Sequence, residues 1–472
     1  MTYRSLLNIM QLTVLLNTEE NTVIQFMDYK KQKTESSRKK GGDVSMSKKR
    51  IWIVFIIVGL LAGIVYLMPF FRFTFYDQMM EALTLTDTQI GILGSVYGTS
   101  YVVCFLPSGI LSEKFSTKWL LFISAVGMAA TSAWYATLPN FECLIVIHIL
   151  YGIFSVGTFW SPYLKAIRNL SDDSSEGKMF GWSDSLRNVT NAIVSFGCLG
   201  IIGYAATSTS GFVGSCILNT VFAAVVAALI FIGIPNKFDE LAKRDNNAVD
   251  EKKEGMLAVA KKVLVNPSTW MLIIFIMAGY TVWTTVNSYI GTFCVRVLNI
   301  DASIASTISI IRTYILALLA GLVGGFLLDK FSSRAKALFI AFIVAGVFAI
   351  GTMLSTGAAM ICVVISLCLA FVVYVIKATY WSTMGEAEIA PENTGLATGV
   401  VSLIALTPDI FTPPVISAFL ENAAAAGNIA TGFNQMFIWI IVWCIIGATA
   451  GFLMVRRHKK LKMADLPEAP MD

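Results

Sequence analysis

Twelve apolar runs, each about twenty residues or more, follow one another from Ile51 to Val455, and nothing else in the chain restricts its fold as strongly. A run of that length matches the ~30 Å hydrocarbon core of a bilayer at about 1.5 Å of helix per residue. The runs lie near 51–80, 88–111, 118–138, 142–165, 179–206, 211–234, 269–295, 303–328, 335–355, 359–384, 395–420 and 432–455. Backbone groups in lipid must bond within their own segment, so the runs read as helices. Composition agrees where it matters. Charged residues make up 14% of the chain and hydrophobic residues 56%, whereas a soluble domain carries roughly a quarter charged residues. The reading is an all-α membrane protein with twelve transmembrane helices, its outer surface against the lipid bilayer.

The net charge of +5 matters less than its placement. Lys and Arg crowd before Ile51 and into 112–118, 165–178, 235–268, 329–336 and 456–462; the alternate connections hold almost none. The positive-inside rule then puts both termini in the cytoplasm of a cell (inner) membrane protein. Nucleic acid is not an expected partner, because these basic segments sit at membrane edges. The eight cysteines lie mostly inside apolar runs and form no CxxC pair, and His148 and His458 are far apart. No disulfide framework, metal site or cofactor is expected. The sequence divides into a tail at 1–50, six spans at 51–234, a charged linker at 235–268, six spans at 269–455 and a tail at 456–472. Residues 1–45 hold no sustained apolar span, and Met46 followed by Ser47, Lys48, Lys49 and Arg50 has the form of an initiator before a first helix. Met46 is therefore the expected start, and the linker is expected to carry an amphipathic surface helix.

The two sets of six spans echo each other. GILSEKFS at 109–116 follows the second span and GFLLDKFS at 325–332 follows the eighth. Trp160-Ser161 in the fourth span matches Trp381-Ser382 in the tenth. Gly177, Gly181 and Ser185 in the fifth match Gly395, Gly399 and Ser402 in the eleventh. Ordered echoes at similar offsets indicate duplication of a six-helix bundle, as in transporters with parallel repeats and a site between halves near mid-membrane.

The first turn resembles the Gly-x-Leu-x-Asp-Arg-x-Gly-Arg-Lys motif of the major facilitator superfamily. Gly109, Leu111, Glu113, Lys114 and Lys118 match or conservatively replace its positions, and Ser116 and Thr117 depart from it. The resemblance covers about residues 51–460. It implies alternating access by rocking of two halves, ordinarily in a monomer, with Gly109, Glu113, Lys114, Gly325, Asp329 and Lys330 forming a conformational latch. Arg72, with Tyr66 and Pro69 before it and Leu85 to Gly91 after it, resembles the first-helix arginine of the organophosphate and organic-anion branches, where it binds the substrate anion.

Charge inside a membrane costs about 2.5–3.5 kcal/mol per residue on insertion scales and marks function by default. The candidates are Arg72, Asp184, Arg187, Arg312, Lys377 and Asp409. Arg312 precedes Gly325 by thirteen residues, hence lies roughly 20 Å from that turn. Arg72, Arg312 and Lys377 are expected to face one cavity and bind an anionic small molecule. Trp160, Trp381 and Tyr101 are candidate walls. Asp409 and Asp184 are candidate proton sites, H+ or another cation being the expected coupling ion. Structural alternatives stand beside these: Asp184 can pair with Arg187 three residues on, and Asp409 can neutralise Lys377. The expected function is secondary active uptake of a sugar acid, carboxylate or organophosphate. An exporter of drugs or metabolites is the alternative, although the fifth span lacks the Gly-Pro motif of drug-exporting branches. A transporter-like sensor is a further alternative, and neither an ATP-driven pump nor an enzyme is expected, because GxxxxGK[ST], HExxH and GxSxG are absent.

Overall fold

The computed structural model describes residues 46–171, 176–241, 264–331, 333–387 and 394–464, and every regular element among them is helical. The sequence expectations for residues 1–45 and for a surface helix in the linker lie outside the described residues, apart from a helical turn at Phe238–Leu241.

In the first half, α1 (Lys48–Ile64) and α2 (Arg72–Ala82) share the first span. The second and third are α3 (Asp87–Lys114) and α4 (Thr117–Tyr135). The fourth joins α5 (Phe141–Gly152) to α6 (Trp160–Asn169), and the fifth and sixth are α7 (Glu176–Tyr204) and α8 (Ser208–Gly233). The second half repeats the pattern. It runs α9 (Pro267–Arg296), α10 (Ala302–Ile310) with α11 (Ala317–Asp329), α12 (Arg334–Leu354), α13 (Ala359–Thr379), α14 (Thr394–Ala405) with α15 (Pro408–Ala425), and α16 (Ile429–Ala464). Among the described residues, ten segments are long and apolar enough by themselves to cross a membrane. The other two are the first, which is broken, and α4, whose nineteen residues are diluted by Lys118 and several Ser, Thr and Trp positions. Large apolar side chains such as Ile232, Phe326, Leu354 and Met360 are exposed on the outside, as a lipid-facing surface requires.

The breaks have local causes. Pro69 has no N–H to donate to Val65, so the first span opens at 65–71 and restarts at Arg72. Pro408 starts α15 at its first position, where a missing N–H does no harm. Wide helical turns interrupt the fourth span at Ile153–Gly157 and the eighth at Ile311–Leu316, and the tenth tightens into a 3₁₀ helix at Tyr380–Ala387. Such turns free backbone groups and recur at functional sites. Elsewhere the helices start on ordinary caps: Thr86 and Gln89 form a capping box, and Asp301 accepts from the amides of Ser303 and Ile304.

One end of the bundle carries the linker and the two repeated turns; the other is the far end. At the linker end an acid crowns the third span of each half. Asp239 accepts from the Thr117 amide at 2.9 Å and hydroxyl at 2.5 Å, and lies 3.3 Å from Lys165 Nζ. Glu386 accepts from the Ser333 hydroxyl at 2.7 Å and from the amides of Arg334 and Ala335 at 2.6 and 3.3 Å. Each carboxylate sits at a helix N-terminus, where orphan amides and the helix dipole favour it.

At the far end the two halves are tied together. Arg296 of α9 donates to Asp77 of α2 at 2.7 Å and to both oxygens of Asp87 of α3 at 3.0 and 2.9 Å. Gln78 donates to Ser306 at 3.0 Å, and the Thr88 amide donates to Glu421 at 2.8 Å. Gly91, Gly94 and Gly98 turn a bare face of α3 onto α15. A Cβ on Gly98 would stand 2.5 Å from the Asp409 carbonyl oxygen, and one on Gly91 2.8 Å from that of Pro413.

Candidate functional site

Between the halves a cavity of about 390 Å³ is walled largely by aromatic rings. Tyr101, Trp160, Trp381 and Lys377 all line it. Its rim residues Leu164, Trp381 and Thr398 belong to the linker-side parts of their spans. Its floor is a layer of rings at mid-depth: Phe70 meets Tyr97 edge-on at 5.1 Å and Phe73 meets Trp283 at 5.9 Å. The break at Pro69 creates this floor by swinging Phe70 and Phe73 across the interface.

Lys377 projects from α13 into the cavity. Its Nζ lies 5.2 to 5.6 Å from the ring centres of Trp283, Tyr380 and Tyr280, an aromatic cage that stabilises an ammonium by its π faces. Among the described residues no carboxylate forms an ion pair with it. Arg187 of α7 also lines the cavity, but its charge is matched by Asp184 three residues earlier. The Asp184 side chain is 56% exposed and bound to Arg187 and Asn188, which is the paired arrangement rather than a secluded carboxyl.

Asp409 is completely buried and does not pair with Lys377. Its Oδ2 accepts from Tyr101 at 2.8 Å and Tyr280 at 2.6 Å, and its Oδ1 accepts from Thr284 at 2.7 Å. Tyr101 comes from the first half and the other two donors from the second, so the carboxyl group bridges the halves.

The three cations expected to share one cavity are not together. Arg72 and Arg312 lie past the ring floor, toward the far end. Arg72 is 3% exposed, donates to the Pro69 carbonyl at 3.2 Å, and rests its guanidinium 5.1 Å from the centre of Phe73. The break that made the floor carried Arg72 beneath it. Arg312 is fully buried in the wide turn of the eighth span. One of its nitrogens donates to the Asn287 carbonyl at 3.0 Å and the Phe73 carbonyl at 3.3 Å, which ties the second half to the first. Among the described residues, Nε and one terminal nitrogen of Arg312 have no hydrogen-bond partner, and the same holds for Arg72.

At the repeated turns Glu113, Lys114 and Lys330 are exposed, and Gly109 and Gly325 face open space. None of these three charged side chains makes an ion pair among the described residues. The side chain of Asp329 lies outside the described residues. Sequence reasoning passed over Asp77, Asp87 and Arg296, which sit at the ends of spans in connections read as poor in cations. It also passed over Tyr280 and Trp283. An acid in the last turn of the first span facing an arginine in the last turn of the seventh was the available signal.

Two six-span bundles enclosing a central cavity, closed at one end, are the architecture of a membrane transporter. The chain belongs to the Major Facilitator Superfamily, whose pattern matches residues 51–413. It is 24% identical over 429 residues to the inner membrane protein YqcE of Escherichia coli (strain K12), covering 88% of this chain and 96% of that one. It is 23% identical over 398 residues to the hexuronate transporter of Bacillus subtilis (strain 168), covering 79% and 90%. Among solved structures it resembles a bacterial homologue of the human lysosomal transporter Spinster, in its inward-facing and unoccupied conformation. The TM-score is 0.71 at 15% identity, covering 88% of this chain and 99% of that one.

Proposed function

We propose that this transporter takes up a small organic anion by alternating access, coupled to H+ or another cation, across the inner membrane with both termini in the cytoplasm. The single observation that carries the reading is Lys377: an ammonium in the central cavity, caged by rings and lacking a carboxylate partner among the described residues. A cation so placed in a low-dielectric cavity favours an anionic ligand. Its compact, rotatable ammonium suits a carboxylate, phosphate or sulfonate equally. The relatives named for the inner membrane and for hexuronate transport support the same class. The open cavity on the linker side and the tied far end correspond to an inward-facing state under this orientation.

The test is uptake by proteoliposomes of glucuronate, gluconate, glucose 6-phosphate and, as a neutral control, glucose. The expected result is uptake of at least one anion, lost in Lys377→Ala, a variant that still inserts but binds the anion at least about tenfold more weakly. Uptake of glucose alone, or anion uptake indifferent to Lys377→Ala, overturns it. Binding without uptake would point to a sensor.

A further inference from the structure

We infer that the hydroxyls of Tyr280 and Tyr101 couple a proton on Asp409 to an anion at Lys377, so that one proton travels with one monoanion. This rests on the anion-transport reading above and adds to it the residues that join the two ions.

The geometry is a short relay from carboxylate to cavity. The Tyr101 and Tyr280 hydroxyls stand 3.3 Å apart, and both donate to the same oxygen of Asp409. Both rings also line the cavity, whereas Asp409 does not. The Tyr280 ring in turn lies 5.6 Å from Lys377 Nζ. The two tyrosines therefore stand between the carboxyl group and any ligand held by Lys377.

Each hydroxyl has one proton to give. While Asp409 is ionised, both protons are spent inward, and the oxygens turned to the cavity act only as acceptors. An anion reaching Lys377 then meets lone pairs, with a negative charge one ring behind them. When Asp409 takes a proton it becomes a donor itself, and its need for two donors on one oxygen disappears. The tyrosine hydroxyls can then rotate and donate to the anion. The step moves one proton from cavity water to Oδ2, with no other bond made or broken. Proton and anion thus favour each other's binding, and linkage makes the effect equal in both directions. Because each anion charge enters with one proton charge, transport of a monoanion is electroneutral.

Among the described residues, the groups that face Asp409 leave it no other counter-charge to follow. From α3 come Tyr97, Tyr101 and the Gly98 backbone, from α9 Tyr280 and Thr284, and from the turn between α14 and α15 the Leu406 carbonyl, which lies 3.4 Å from the Tyr101 hydroxyl. From α16 the tryptophans Trp439 and Trp443 pack on Phe411. Lys377 lies across the Tyr280 ring. Arg72 approaches Pro413, one turn along α15, from beneath the floor, and its charge is constant through the step.

The experiment measures anion binding to the purified full-length protein between pH 5.5 and 8, using glucuronate, gluconate and glucose 6-phosphate as probes. The wild type is expected to bind more weakly as pH rises, by up to about tenfold per unit where one proton is linked. Asp409→Asn should bind with little pH dependence. Tyr280→Phe keeps the ring beside Lys377 and removes only the hydroxyl, so it should at least halve the slope. Tyr101→Phe reads the same slope from the other half of the molecule and serves if the first variant does not fold. In proteoliposomes, a pH gradient should drive glucuronate accumulation, and a potassium-valinomycin potential alone should drive none. A pH-independent wild-type affinity, a full slope in both tyrosine variants, or potential-driven glucuronate uptake overturns the coupling while leaving anion transport intact. If no probe anion binds at all, the anion reading falls and this inference falls with it.

Discussion

Arg296 spans both carboxylate oxygens of Asp87, at 2.9 and 3.0 Å, while its Nε reaches Asp77 at 2.7 Å. One guanidinium from the second half thereby holds two acids from the first. Its planar fork is what makes the double contact possible, and lysine cannot reproduce it. All three side chains are one-fifth exposed or less, so screening by water is limited.

Arg296→Gln should therefore open the far end. Removing one member of a buried charge group costs about 3–5 kcal/mol, and partial exposure here reduces that to about 2 kcal/mol. Such a change shifts a two-state equilibrium by more than tenfold. In a cysteine-free background, the pair Gln78→Cys and Ser306→Cys should cross-link readily with Arg296 intact and several-fold more slowly with Gln in its place. Equal rates would show that the triad does not hold the seal.

Gly98→Leu should act on the same equilibrium by shape alone. Even a methyl group at Gly98 would stand 2.5 Å from the Asp409 carbonyl oxygen, a backbone atom that cannot swing aside. The far end cannot close over such a wedge. The expected outcome is loss of the same cross-link and loss of uptake, with normal insertion and a melting temperature within a few degrees of wild type. A cross-linked, transporting Gly98→Leu protein would contradict it.

Lys377→Ala and Arg312→Ala should both stop uptake, but for separable reasons. Lys377 lines the cavity, so its loss should weaken anion binding at least tenfold, about 1.4 kcal/mol or more. Arg312 lies beneath the floor and ties the Phe73 carbonyl to the Asn287 carbonyl. Its loss should leave binding within about threefold while blocking turnover. Equilibrium binding of the anion to each purified variant decides between these roles.

Glu386→Ala should destabilise the second half without touching the cavity. The carboxylate caps α12 through two amides and a hydroxyl. Losing such a cap costs about 1–2 kcal/mol. A melting temperature lowered by a few degrees in detergent, with anion affinity unchanged, is the expected result.

The spans and the duplication were legible because both are periodic features of the chain itself. A run of twenty apolar residues means one crossing wherever it occurs, and the turns at Gly109 and Gly325 announce their kinship in nearly identical letters. The position of Arg72 relative to the cavity was not legible. It depends on how far the chain swings after Pro69, and that is set by packing of Phe70 on Tyr97, a partner on another helix. Asp409 shows the same limit. Its sequence neighbours do not reveal that three hydroxyls, from Tyr101, Tyr280 and Thr284, would converge on it. The cavity positions of Lys377 and Trp160 were easier to anticipate, since a cation deep in a span must face protein or water and Trp160 recurs as Trp381 in the other half.

The ring floor has an electrical consequence. A cavity open to one side of the membrane brings that side's potential down toward Phe70 and Tyr97. The voltage then falls over the remaining sealed layer, which holds Arg72, Arg312 and the group formed by Arg296 with Asp77 and Asp87. A charge moved through the whole drop exchanges about 2.3 kcal/mol per 100 mV with the field. In a state open to the other end, the steep part of the field would lie on the opposite side of Arg72 and Arg312, even with both side chains unmoved. In the alternating-access reading proposed above, the membrane potential would then act on the return of the empty carrier, while the electroneutral balance of proton and monoanion stays untouched by it.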